Sequence, residues 1–254
     1  MIAQPALAAL QLMDLTSLNN SDNHQSISQL CQQAHTAYGA PAAVCVYPEW
    51  ITWARLELDR LGLAAVKVAT VTNFPAGSSD IERALAETAR AVAAGADEVD
   101  VVFPYKALIA GDAESGAILV RNCKAACAPT TKLKVIIESG VLETPELIHR
   151  ASMIAIENGA DFIKTSTGKV AVNATLEAAE IMLQCIKDSG AVVGFKAAGG
   201  VKTVADAAAY LQLATRIMGS SWLTANHFRF GASGLLQQVL AELSGTNQAP
   251  AEGY

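Results

Sequence analysis

Long apolar runs are missing from this sequence. No segment of its 254 residues reaches the roughly 18–20 consecutive apolar positions a membrane helix requires, which excludes a helical membrane protein. Basic residues are missing from its start: no Lys or Arg precedes Arg55, so apolar residues 1–13 carry neither the charged region of a secretory signal nor the basic face of a transit peptide. Cysteine is sparse and unclustered. Cys31, Cys45, Cys123, Cys127 and Cys185 are odd in number and contain no CxxC pair, which argues against a disulfide framework. Cys123 and Cys127 are spaced to share a helix face, but no His or third Cys lies nearby, so no metal site is expected. A reduced, cytoplasmic protein fits these absences. Positive charge is not concentrated either: the 18 Lys and Arg residues are scattered and the net charge is -6, so the footprint of a nucleic-acid binder is missing and a small-molecule partner is expected. With 52% apolar and 17% charged residues and no long polar stretch, the chain should form one compact domain over 1–254.

What is present is a repeat of short apolar strand, glycine or capping residue, and amphipathic helix. Strands are expected at 12–15, 43–47, 65–71, 98–103 and 133–138, then at two runs ending in Lys164 and Lys196, and finally at 227–231. Helices are expected from Ser26, with Ser26 and Gln29 as a capping box, then at 49–61, 81–94 and 111–126. Thr144-Pro145-Glu146 opens another with an N-cap, a first-turn proline and an acid on the positive end of the dipole. Thr203 and Asp206 cap the next, a last helix covers 233–243, and 245–254 reads as a flexible C-terminal tail. Eight strands alternating with eight helices over about 250 residues is the count of a single (β/α)8 TIM barrel, whose chemistry sits at the C-terminal ends of the strands. A doubly wound sheet shares the alternation, but no GxGxxG follows any strand.

Two strand ends carry lysines, Lys164 in DFIKTSTGK and, thirty-two positions on, Lys196 in VVGFKAAGG. A strand-end lysine ordinarily lays its stem over apolar surface and reaches solvent. Lys67, Lys132 and Lys134 illustrate that reading, at strand starts on the face a barrel uses for stability. Lys164 and Lys196 would instead meet in the barrel mouth, where two buried cations without a purpose are costly. A free lysine is neutral in only about one molecule in 2,500 at pH 7. A neighbouring ammonium and an apolar pocket both lower its pKa, which is how Schiff-base lysines are activated. Asp100 interrupts an otherwise β-branched run, either as a proton carrier for that chemistry or as a buried structural partner of a lysine. Gly199-Gly200 and Gly231-Ala232-Ser233-Gly234 follow the last two strands, where many barrels hold phosphate on backbone N–H groups.

These motifs resemble those of the deoxyribose-phosphate aldolases. The resemblance runs from MDLT at Met13 through VCVYP at Val44, TVTNFP at Thr70, GADEVDVVFPY at Gly95, DFIKTSTGK at Asp161 and GFKAAGG at Gly194 to RFGAS at Arg229. It implies a class I aldolase that cleaves 2-deoxy-D-ribose 5-phosphate to D-glyceraldehyde 3-phosphate and acetaldehyde, a step of deoxyribose phosphate catabolism, with no metal or organic cofactor. Carried over by position, Lys164 forms the Schiff base and Lys196 and Asp100 are the acid/base pair, with the C3–C4 bond expected to break. Gly168, Gly199, Gly200 and Ser233 match positions near the substrate phosphate, Thr16, Cys45 and Lys169 line the rest of the pocket, and Tyr254 matches a C-terminal tyrosine that moves a proton at the enamine carbon. The chain departs from the pattern at Ala197, where proline is expected, and at Gly234, where a second serine is expected. The first should reduce turn rigidity and the second remove a phosphate donor, so that phosphate binding is weakened or reshaped but kept. A transaldolase-type barrel and a non-catalytic sugar-phosphate binder remain open, and a homodimer is compatible with the sequence, which does not determine oligomeric state.

Overall fold

The structure, a computed structural model, describes residues 4–246. Eight parallel strands close into a barrel in sequence order: β1 Met13–Thr16, β2 Ala43–Val46, β3 Lys67–Thr72, β4 Glu98–Val102, β5 Lys132–Ile136, β6 Phe162–Lys164, β7 Gly194–Ala198 and β8 Phe228–Ala232. Closure through the β1–β8 pair, Met13 opposite Phe230, rules out the open doubly wound sheet. No helix among the described residues is long and apolar enough to cross a membrane.

Alternation along each strand divides the side chains into two sets. Leu15, Val44, Val68, Val99, Val101, Val135, Ile163, Phe195 and Phe230 belong to the large core shared with the surrounding helices. The opposite parity faces the barrel axis. There β2 and β3 contribute the separate small cluster Ala43, Cys45, Ala69 and Val71, closed by Leu18. The other strands place charge on that parity: Asp14, Glu98, Asp100, Lys134, Lys164, Lys196 and Arg229 are all buried. Glycine makes room on this face for the Lys196 stem and for the inward ring of Phe162. A Cβ on Gly231 would stand 3.0 Å from Lys196 Cε, and one on Gly194 would overlap the Phe162 ring at 2.3 Å.

Most expected helices form, with local differences. Thr144 accepts the Leu147 N–H ahead of Pro145–Glu157, and Thr203 and Asp206 make a reciprocal capping box for Val204–Met218. The box at the start of His24–Gln33 pairs Asn23 with Ser26, one turn earlier than Ser26 with Gln29. The helix expected over 111–126 starts only at Glu114, because an additional short helix, Tyr105–Ile109, precedes it and is followed by Gly111 at φ 94. The helix Pro5–Gln11 has no side-chain cap and no expected counterpart. The described start of the tail is fastened, with Gly245 and Thr246 donating backbone N–H groups to Glu242 and Ala241.

Candidate active site

Strand ends bring Lys164 and Lys196 together as Cα partners on neighbouring strands, and Asp100 joins them from across the barrel. Asp100 Oδ2 accepts Lys164 Nζ at 2.8 Å and Lys196 Nζ at 2.7 Å, while its Oδ1 accepts Lys134 Nζ at 2.8 Å. The expectation for Lys134 is therefore corrected. It is not a snorkelling lysine on the stability face but a fully buried member of the cluster, reaching Glu98 at 2.6 Å and Asp14 at 3.5 Å as well. Lys132 and Lys67 do behave as ordinary strand-start lysines, about half exposed beside Asp161 and Asp97. The stagger of the strands separates Lys132 from Lys134, one at the barrel's rim and the other inside it.

Asp14, Glu98 and Arg229 were not singled out in the sequence. Asp14 accepts Lys196 Nζ at 2.5 Å and Arg229 at 2.6 Å. Glu98 takes both ends of the Arg229 fork, at 2.7 and 3.1 Å. One signal could have found them: strands of a parallel barrel are buried on both faces, so a charge inside one needs a partner.

The lysines are not equivalent. Burial pushes the Lys164 ammonium down, Asp100 opposes this, Lys196 adds to it, and the outcome is a lowered pKa. Burial also acts against Lys196, but Asp100 and Asp14 outweigh it and its pKa rises; Asp100 and Glu98 do the same for Lys134. Burial would raise Asp14 and Asp100, yet the surrounding cations hold both below the ordinary carboxylate range. Access differs too, since the Lys164 side chain is 4% exposed while those of Lys134 and Lys196 are at 0%. The arrangement can therefore present one amine at the mouth while keeping two ammonium groups and a carboxylate charged around it.

The other expected positions spread around the same end of the barrel. Cys45 lies in the apolar wall, its thiol pushed up by burial. Thr16 donates its hydroxyl to Asp14 O at 2.8 Å. Lys169 spans the mouth, its Nζ donating to Leu18 O at 2.7 Å. Gly168, Gly199 and Gly200 adopt φ of 82, 73 and 87°, a conformation that favours glycine, in the turns after β6 and β7. Ser233 follows β8 and lines a polar cleft with Thr16, Ser17 and Asn19. Tyr254 lies outside the described residues. Ala197 sits inside β7 opposite Phe230, so the missing proline bears on a strand and not, as expected, on the rigidity of a turn.

Glu138, just after β5, was also missed. It holds a left-handed backbone (φ 58, ψ 55), accepts the Thr167 N–H on Oε1 at 3.1 Å, and leaves Oε2 buried without a protein partner. Burial first of all raises its pKa. It ties the loop after β6 to the end of β5. A wide cleft of about 1030 Å³ opens at the opposite end of the barrel, between Leu12, Gln212, Arg216 and Leu223. Its one charged residue, Arg216, is already paired with Glu180 at 2.8 Å.

Comparison with known proteins agrees with this architecture. A model of the DeoC/LacD family aldolases matches residues 8–233. A Toxoplasma gondii ME49 protein provisionally named a deoxyribose-phosphate aldolase superposes with a TM-score of 0.87 at 23% identity, over 96% of this chain and 98% of that one. A Coccidioides immitis protein with the same provisional name gives 0.81 at 28% identity, over 94% and 87%. The deoxyribose phosphate aldolase of Aeropyrum pernix gives 0.76 at 22%, over 96% and 94%.

Proposed function

Since the chain belongs to the DeoC/LacD aldolase family, we propose that it cleaves 2-deoxy-D-ribose 5-phosphate reversibly to D-glyceraldehyde 3-phosphate and acetaldehyde through a Schiff base on Lys164. The observation that carries the reading is the inequality of the buried lysines. Among the three lysines, Lys164 alone meets a single carboxylate, shares it with the ammonium groups of Lys134 and Lys196, and is the one with access to the mouth.

In this reading the neutral Lys164 amine adds to the C1 aldehyde, and loss of water from the carbinolamine leaves a protonated imine. Asp100, through a water held with Lys196, removes the C3 hydroxyl proton. The electron pair of the broken bond moves into the imine and gives an enamine. Carbon balance corrects the expected C3–C4 scission. A five-carbon sugar yields acetaldehyde from C1 and C2 and the triose from C3 to C5, so C2–C3 is the bond that breaks. Protonation of the enamine at C2, the step proposed for Tyr254, and hydrolysis then free acetaldehyde and Lys164. Incubation with 2-deoxyribose 5-phosphate should release acetaldehyde and glyceraldehyde 3-phosphate in equal amounts. Cleavage of ketose phosphates without release of acetaldehyde would favour a transaldolase, and binding without turnover would favour a binding module.

The phosphate reading has its own test at Gly234. This residue has φ -73° and nothing within 4 Å of an added Cβ, so serine fits without strain. Gly234→Ser is expected to lower KM for the phosphorylated sugar about tenfold, as one added bond to a charged group would, and to leave KM for unphosphorylated 2-deoxyribose unchanged. Equal effects on both sugars would remove the phosphate from this loop.

A further inference from the structure

We propose that Glu98 and Arg229 are positioning residues that set the charge balance of the lysine site from the floor of the barrel, although neither touches Lys164; this rests on the Schiff-base reading of Lys164. The barrel interior holds four basic side chains, Lys134, Lys164, Lys196 and Arg229, against three carboxylates, Asp14, Glu98 and Asp100, all of them buried. Within the barrel itself four cations against three anions leave one positive charge in excess, and burial favours loss of a proton from one base; the further buried carboxyl of Glu138 lies outside the strands, at the mouth, where burial raises its pKa. That base cannot be Arg229, because a guanidinium stays protonated in proteins. Lys134 contacts all three carboxylates and Lys196 two, whereas Lys164 contacts only Asp100. Lys164 is left as the free amine.

Arg229 is thus the charge that creates the excess. Without it, three lysines would face three carboxylates and Lys164 would keep its proton. Glu98 makes Arg229 tolerable and holds Lys134 charged. It lies two residues before Asp100 on β4, roughly 6.6 Å along the strand, and accepts both Arg229 and Lys134. The fork is further fixed by Arg229 Nε donating to Ala225 O and by the Phe162 ring, 5.7 Å from the guanidinium carbon. Other titratable groups around the network are Cys45, whose thiol burial keeps protonated, and, at the mouth, Glu138, whose pKa burial raises. The inward residues Ala69 and Val71 of β3 carry no charge. A purely structural plug would show the same hydrogen bonds, so the proposal depends on charge and not on packing.

The experiment follows cyanoborohydride trapping of acetaldehyde on Lys164 against pH in the full-length protein. Trapping requires the neutral amine, so its rate rises with pH through the midpoint of Lys164. Arg229→Gln removes a cation and should raise that midpoint by about one pH unit, an effect a nearby buried unit charge can produce. Glu98→Gln removes an anion and should lower it by a similar amount. Arg229→Lys retains the charge and should keep the wild-type midpoint despite losing the fork. Midpoints unchanged in both glutamine variants, or shifted in the same direction, would overturn the proposal. Failure of both to fold, judged by circular dichroism, would overturn it as well by making the pair a structural plug. Absence of trapping on Lys164 in the wild type would instead sink the Schiff-base reading itself.

Discussion

Lys164→Ala should lose reductive trapping of acetaldehyde altogether and reduce aldolase turnover by more than about 10⁴-fold, the scale seen when a covalent nucleophile is deleted. No neighbour can substitute. Lys196 Nζ is held by Asp14 at 2.5 Å and by Asp100 at 2.7 Å, and Lys134 is held by three carboxylates, so each keeps its proton and lacks a lone pair for attack. The fold should survive the change. Removing Lys164 leaves three cations against three carboxylates, so no buried charge loses its only partner. Mass mapping of protein reduced in the presence of acetaldehyde checks the assignment. A two-carbon adduct found on Lys196 in the variant would identify a different nucleophile.

The second large effect is expected at Lys196. Lys196→Leu takes away the ammonium that shares Asp100 Oδ2 with Lys164, so Asp100 turns its charge toward Lys164. Lys164 should then hold its proton more tightly, the pH midpoint for trapping should move upward, and turnover near neutrality should fall at least about 100-fold. Part of that loss is direct, because the variant also lacks the group proposed to hold the proton-carrying water. Asp14 keeps Arg229 at 2.6 Å, and this limits the destabilisation of removing one member of a buried ion cluster, otherwise about 3–5 kcal/mol. Trapping rate and turnover measured from pH 5 to 9 separate the two contributions. A variant with wild-type rate and profile would exclude Lys196 from the mechanism.

Local chemistry makes part of this protein legible without coordinates. Strand spacing, the caps at Thr144 and Thr203, and apolar runs ending in lysine are properties of short segments, and they suffice for the barrel and for Lys164, Lys196 and Asp100 as a group. Motif resemblance adds the aldolase family. Tertiary structure decided which other charges join them. Lys132 and Lys134 share a strand and a parity, yet one is half exposed and the other fully buried, because depth in a barrel depends on the tilt and stagger of all eight strands. Asp14, Glu98 and Arg229 come from β1, β4 and β8, and only closure of β8 against β1 sets them within hydrogen-bonding distance. Which lysine is suited to the proposed role of free amine is likewise a property of the assembled interior. The three lysines have nearly the same intrinsic pKa, and what distinguishes them is the unequal distribution of three carboxylates among four buried bases together with the access of Lys164 to the mouth.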